Sequence, residues 1–255
     1  MSALPYAGVI CWRELSSPNP QAATQFYRDL FSWTSKDVDM GPMGNYTILN
    51  NGEEMVAGVM AGPSPEVPSH WINYVTVDDV DASAAQVVKL GGGVLVPPTD
   101  TPEIGRFAIV TDPEGAVFGL MRDPSGEVMP AMASKAATGT FCWAQLMTRD
   151  IEAATRFYST IFGWKVQMYH GMVTLSRGDG GCSSIMAMPA HVPAEVPAYW
   201  ENYVAIDNLQ ESYERALALG ATALVPPTSI PHTGDFALVT TPAGATIALW
   251  KEGAA

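Results

Sequence analysis

The sequence predicts an α+β protein made of two homologous domains in tandem, each built from two β-α-β-β-β half-units. Three observations predict it. Segments along nearly the whole chain recur at near-constant spacing. Each recurring block opens with strand periodicity and passes into helical periodicity. Short strands bounded by turn residues then follow each helix.

The repeat is direct. GVICWREL (8–15) returns as GTFCWAQL (139–146), so Trp12 and Trp143 lie 131 positions apart (143 − 12). AATQFYRDLFSW (22–33) returns as AATRFYSTIFGW (153–164) at the same spacing. VPSHWINYV (67–75), VLVPPT (94–99) and FAIVTDPEGA (107–116) return as VPAYWENYV, ALVPPT and FALVTTPAGA, now 129 apart (200 − 71). The two-residue slip falls between Trp33 and Trp71, in Gly- and Asn-rich sequence where a length change costs little. The domains read as 1–123 and 138–255. They are joined by a Pro-, Gly-, Ser- and Ala-rich linker at 124–137.

Within one domain, Val9–Leu15 alternates as a strand. Asn19 is placed to cap a helix whose first position is Pro20. Ala22, Ala23, Phe26, Tyr27 and Leu30 keep helical spacing, predicting a helix over 20–30 and its counterpart, capped by Asp150, over 151–161. Strands are expected at 34–37, 46–50 and 55–60. A Pro-rich connector leads to a strand at 71–77 and a helix over roughly 80–90, opened by Asp78, Asp79 and Asp81 and ended by Gly91–Gly93. Strands at 94–96, 106–111 and 116–121 complete the domain.

Composition excludes several classes. Lys and Arg number 13 against 26 Asp and Glu, a net charge of −13, which opposes binding to a nucleic-acid backbone. No apolar run approaches the ~20 residues that span a bilayer, and the N-terminal stretch lacks a signal-peptide pattern. Hydrophobic residues make up 47% of the chain, enough for packed cores. Cys11, Cys142 and Cys182 are odd in number and lack metal-site spacing, which argues against a disulfide framework or a structural zinc site, and Cys11 and Cys142 read as buried small hydrophobes in a reducing cytoplasm.

The FYxxLFxW helix end, the DDVDA step from strand to helix and the DPEGA turn before the last strand resemble the vicinal oxygen chelate superfamily. This is the fold of glyoxalases, bleomycin-resistance proteins and extradiol dioxygenases. W-x-E/Q-L with a later G-R-F is similar to its two-domain glyoxalase-like group. The resemblance covers residues 6–122 and 137–251. It implies that paired βαβββ modules curl into a half-open barrel around a cavity. It also implies metal ligands at set points, seven residues before each helix cap and seven after the Asp of the DPxG turn. In this chain those points are Trp12, Ile72 and Gly119, then Trp143, Glu201 and Ala248. Only Glu201 carries a competent donor, so neither domain is expected to hold the usual metal.

Residues two apart on a strand share a face. Trp12 with Glu14, His70 with Tyr74, Trp143 with Gln145, and Tyr199 with Glu201 and Tyr203 therefore read as aromatic pockets with a few polar groups. Glu14, His70 and Glu201 are the catalytic candidates. Arg106 is a candidate to hold an anionic ligand group, against the alternative of a salt bridge. The aromatics themselves can equally be core filling. His170, His191 and His232 lack counterparts in the first domain and read as solvated.

Three functions follow. The first is a protein of the bleomycin-resistance type that binds a small aromatic or hydrophobic molecule, without a cofactor. The second is a lyase, isomerase or dioxygenase-like enzyme, with a divalent metal held only by unusual ligands such as Glu14 with His70, or Glu201. The third is a scaffold whose second domain serves packing or dimerisation. A monomer or homodimer is expected, with neither nucleic acid nor membrane as partner.

Overall fold

The computed structural model describes residues 7–41, 44–101, 104–123, 137–169, 172–177 and 180–253. The linker expected at 124–137 therefore falls, but for Ala137, outside the described residues.

The first repeat runs β1 (Ile10–Ser17), α1 (Pro20–Phe31), β2 (Thr34–Asp39), β3 (Asn45–Asn51), β4 (Glu54–Ala61), β5 (His70–Thr76), α2 (Val80–Lys89), β6 (Gly93–Thr101), β7 (Gly105–Thr111) and β8 (Val117–Arg122). The second runs β9 (Phe141–Thr148), α3 (Ile151–Phe162), β10 (Lys165–Tyr169), β11 (Met172–Arg177), β12 (Gly180–Ala187), β13 (Tyr199–Ala205), α4 (Leu209–Ala218), β14 (Thr222–Ile230), β15 (Gly234–Thr240) and β16 (Thr246–Glu252). Each repeat forms one eight-stranded sheet, in the orders β2-β3-β4-β1-β5-β8-β7-β6 and β10-β11-β12-β9-β13-β16-β15-β14. The end strands of each order do not pair with each other, so neither sheet is a closed barrel.

Local chemistry sets the helices. Asn19, Asp79, Asp150 and Asn208 each accept a bond from the backbone N–H three residues on, satisfying a donor that the helix leaves open. Ser32 and Gly163 end α1 and α3 in the left-handed conformation. β6 is longer than expected and passes through Pro97 and Pro98. It can do so because it is an edge strand, where a missing N–H costs no ladder bond on the open side. Its register against β7 shifts twice there.

Compaction does not follow the repeats. One unit comprises 1–12, 72–131 and 144–200, and the other 13–71, 132–143 and 201–255. The first unit buries one core, with Val80 and Val87 of α2 and Phe118 of β8 beside Phe157 and Tyr158 of α3. The second buries Phe26, Tyr27 and Leu30 of α1 with Leu209 of α4 and Leu249 of β16. Each core thus joins half of one repeat to half of the other.

Equivalent tryptophans fasten each unit. Trp164 donates to the Gly8 carbonyl at 2.6 Å in the first, and Trp33 to the Gly139 carbonyl at 2.8 Å in the second. Gly8 and Gly139 both need φ near +80°, which only glycine adopts cheaply. Tyr27 accepts from Trp71 at 3.2 Å, while its counterpart Tyr158 donates to Asp112 at 3.1 Å.

Candidate functional site

The sheets have a core face and an opposite face. In the first unit, Phe118 and Leu120 of β8 and Val75 of β5 enter the core. Gly119 and Tyr74, paired in register, therefore point the other way. The Tyr74 ring lies where a side chain on Gly119 would stand. A Cβ added there would meet the ring at 2.1 Å. Tyr74 is only 3% exposed and meets Phe107 edge-on with ring centres 6.4 Å apart.

In the second unit the equivalent face is built differently. Ile247 and Leu249 of β16 are in the core, so Thr246, Ala248 and Trp250 face away from it. Ala248 pairs with Tyr203 in register. Its methyl stands where Gly119 leaves room in the first repeat, so the Tyr203 ring cannot settle there. Tyr203 instead meets Trp250 edge-on at 6.3 Å and remains half-buried. Trp250 replaces Met121 and lies over Gly234, where a Cβ would approach its ring to 2.7 Å. Phe236 pairs with Trp250 across β15 and β16.

Glu201 shares this face, two residues before Tyr203. It is 2% exposed, and neither carboxyl oxygen has a hydrogen-bond partner among the described residues. Burial pushes its pKa up to about 8. The nearby Thr246 hydroxyl offsets part of that rise without a well-formed hydrogen bond.

In the first strand Ile10 belongs to the core of the first unit and Leu15 to that of the second, and every residue from Arg13 to Ser17 is buried. Trp12 and Trp143 are both half-buried. Glu14 is buried, in register with Gly58, and the Tyr46 ring lies over that glycine. In the second repeat Gln145 takes this place and donates to Ser184 at 3.2 Å.

The remaining candidates are peripheral. His70 and Tyr199 are the half-buried first residues of β5 and β13, and His70 Nδ1 lies 3.0 Å from the Pro68 carbonyl. Arg106 sits with Ala108 and Val110 on the helix-bearing side of β7, opposite Tyr74 and Phe107. Its guanidinium grips Asp81 of α2 at 2.6 and 2.8 Å and Asp100 of β6 at 2.9 Å. It is therefore a bridge between helix and sheet, not a neighbour of the aromatic face. His191 lies in the connector, His232 has a positive φ of 62° in a turn, and His170 is outside the described residues. A separate cleft of about 410 Å³ lies in the first unit, bordered by Gly8, Asp78, Asp79, Gln86 and Phe162, away from these aromatic faces.

Phe107, Phe236 and Trp250 were not singled out from the sequence. Part of their signal was available, because each alternates with core residues on its strand. The strand order that makes them neighbours was not.

These residues do not fit a divalent metal. Trp, Ile, Gly and Ala offer no donor, and the Tyr74 ring closes the Gly119 position. Among the described residues, no three His, Cys, Asp or Glu side chains gather as a metal group would require.

Comparison with known proteins accords with the architecture. The family description "Glyoxalase/Bleomycin resistance protein/Dioxygenase superfamily" matches residues 10–120 and again 140–249. CFP32 of Mycobacterium tuberculosis, which bears a provisional glyoxylase name, is 32% identical over 94% of this chain and 93% of its own. The anthracycline biosynthesis protein DnrV of Streptomyces peucetius is 28% identical over 88% of this chain and 86% of its own. Among solved structures, the Mn(II)-bound glyoxalase of Novosphingobium aromaticivorans superposes with TM-score 0.66 at 17% identity, covering 98% of this chain and 83% of that one. The 2,3-dioxygenase LapB of Pseudomonas gives 0.62 at 12% identity, covering 98% and 94%. The structural likenesses show a shared fold, and the double family match across both repeats settles descent: the chain belongs to the glyoxalase, bleomycin-resistance and dioxygenase superfamily.

Proposed function

We propose that this protein binds a small aromatic or hydrophobic molecule against the aromatic faces of its sheets, without the family's metal site. The observation that carries this reading is the substitution pattern at the ligand points. Indole, alkyl and glycine positions replace the donors at every point but Glu201, and Tyr74 with Phe107 and Tyr203 with Trp250 lie beside two of those points, Gly119 and Ala248. Such faces offer large apolar area with few polar groups, as small-molecule sites do. The DnrV relative is named for the biosynthesis of an aromatic polycycle, which accords with this ligand class. We further propose that it acts in the cytoplasm as a monomer or homodimer. Burial pushes the Cys142 thiol up to about 12, so it stays a packed thiol and not a nucleophile.

Thermal-shift screening of the full chain against aromatic metabolites and antibiotics tests the proposal. At least one planar ligand should raise the melting temperature in chelator-treated protein. A chain that responds to no such ligand, or that purifies with a stoichiometric transition metal, sinks it.

A further inference from the structure

We propose that Glu201 is the polar anchor of a ligand site in the second unit, one that takes a neutral aromatic molecule carrying a hydroxyl or amide donor. This rests on the aromatic-face reading above and narrows it to one repeat and one ligand chemistry.

Four observations support it. The carboxyl is almost wholly buried, and both its oxygens lack a partner among the described residues. A buried polar group left in that state is costly, so a native chain that keeps one has a use for it. It shares its face with Tyr203, Ala248 and Trp250, and Tyr203 and Trp250 are only half-buried. In the proposed complex an aromatic molecule lies against these half-buried rings with its polar substituent directed at the acid. The first repeat lacks the arrangement. Ile72 replaces the acid, and the Tyr74 ring fills the space above Gly119.

The chemistry selects the ligand. Burial favours the neutral acid, whose oxygens accept and whose hydroxyl donates. A phenol or amide satisfies such a group. The corresponding ether leaves the donor requirement unmet, and sites built around a hydrogen bond discriminate strongly on that basis.

Two probes on one ring system, 2-naphthol and its methyl ether 2-methoxynaphthalene, test this by calorimetric titration of the full chain at pH 6.5, with the Glu201 variants separating the lost donor from the added methyl. The wild type should bind the naphthol at least about tenfold more tightly than the ether, a difference of about 1.4 kcal/mol. Glu201→Leu should bring the naphthol down to the affinity of the ether. The near-isosteric Glu201→Gln, which folds in the same space and retains an acceptor, should keep an intermediate preference. Equal binding of both probes by the wild type overturns the role of Glu201 and leaves the aromatic face standing. Unchanged naphthol preference in both variants does the same. Binding of neither probe removes the aromatic-face proposal as well.

Discussion

At the scale of single residues, small differences between equivalent positions separate the repeats. Gly119 accepts the Tyr74 ring, and Ala248 refuses the Tyr203 ring. Gly119→Ala should cost about 1–3 kcal/mol through overpacking, because the ring it displaces is buried. The reverse change, Ala248→Gly, should cost no more than about 1 kcal/mol, the usual penalty of glycine in a strand. Urea unfolding of both variants checks this, and an undisturbed Gly119→Ala protein would contradict the packing described. Glu201 has a second signature. Its folded pKa of about 8 lies above the 4.5 of an ordinary glutamate, so the folded state holds its proton more tightly. That contribution is complete below about pH 4.5 and disappears as pH rises through about 8. Glu201→Gln should therefore lose less stability than the wild type between pH 5 and pH 8.5, by a few kcal/mol at most. Parallel pH profiles for the two proteins would show that the carboxyl is not buried as described.

At the scale of elements, capping and face decide most outcomes. Asn19 and Asp150 each hold the third N–H beyond them, at 3.1 and 2.8 Å. Replacing either with Ala should cost about 1 kcal/mol in urea unfolding and leave ligand binding alone. Arg106 is the sharper case. Its ion pairs with Asp81 and Asp100 are exposed to solvent, where such pairs contribute about 0–1 kcal/mol and weaken with salt. Arg106→Ala should lower stability slightly and leave affinity for any aromatic ligand unchanged. A large loss of binding would put the arginine on the wrong side of the sheet. The sequence showed that an arginine stood near the end of the domain. It did not show the side, because the helix that supplies Asp81 lies 25 residues earlier and its docking is a tertiary matter.

At the scale of the molecule, the cores interleave the repeats. Each compact unit takes half its buried side chains from one repeat and half from the other. A fragment ending at residue 123 should therefore fail to fold alone, leaving α1 and α2 without partners. Mixing it with a 138–255 fragment should restore native circular dichroism and cooperative melting. A well-dispersed NMR spectrum from the first fragment alone would refute this. Most of the fold was legible beforehand. Alternation, caps and the recurrence of CWREL as CWAQL determined sixteen strands, four helices and their order, since these depend on contacts a few residues apart. The chain also determined that Trp12, Ile72 and Gly119 could not chelate a metal, because side-chain chemistry needs no coordinates. What only the tertiary structure decided was which side each residue faces and what lies there. The helix side claims Arg106, and Tyr74 fills a vacancy that the sequence shows only as glycine. Faces depend on register and bulges summed along a strand, and buried partners come from segments more than a hundred residues away. Neither is written in any local pattern.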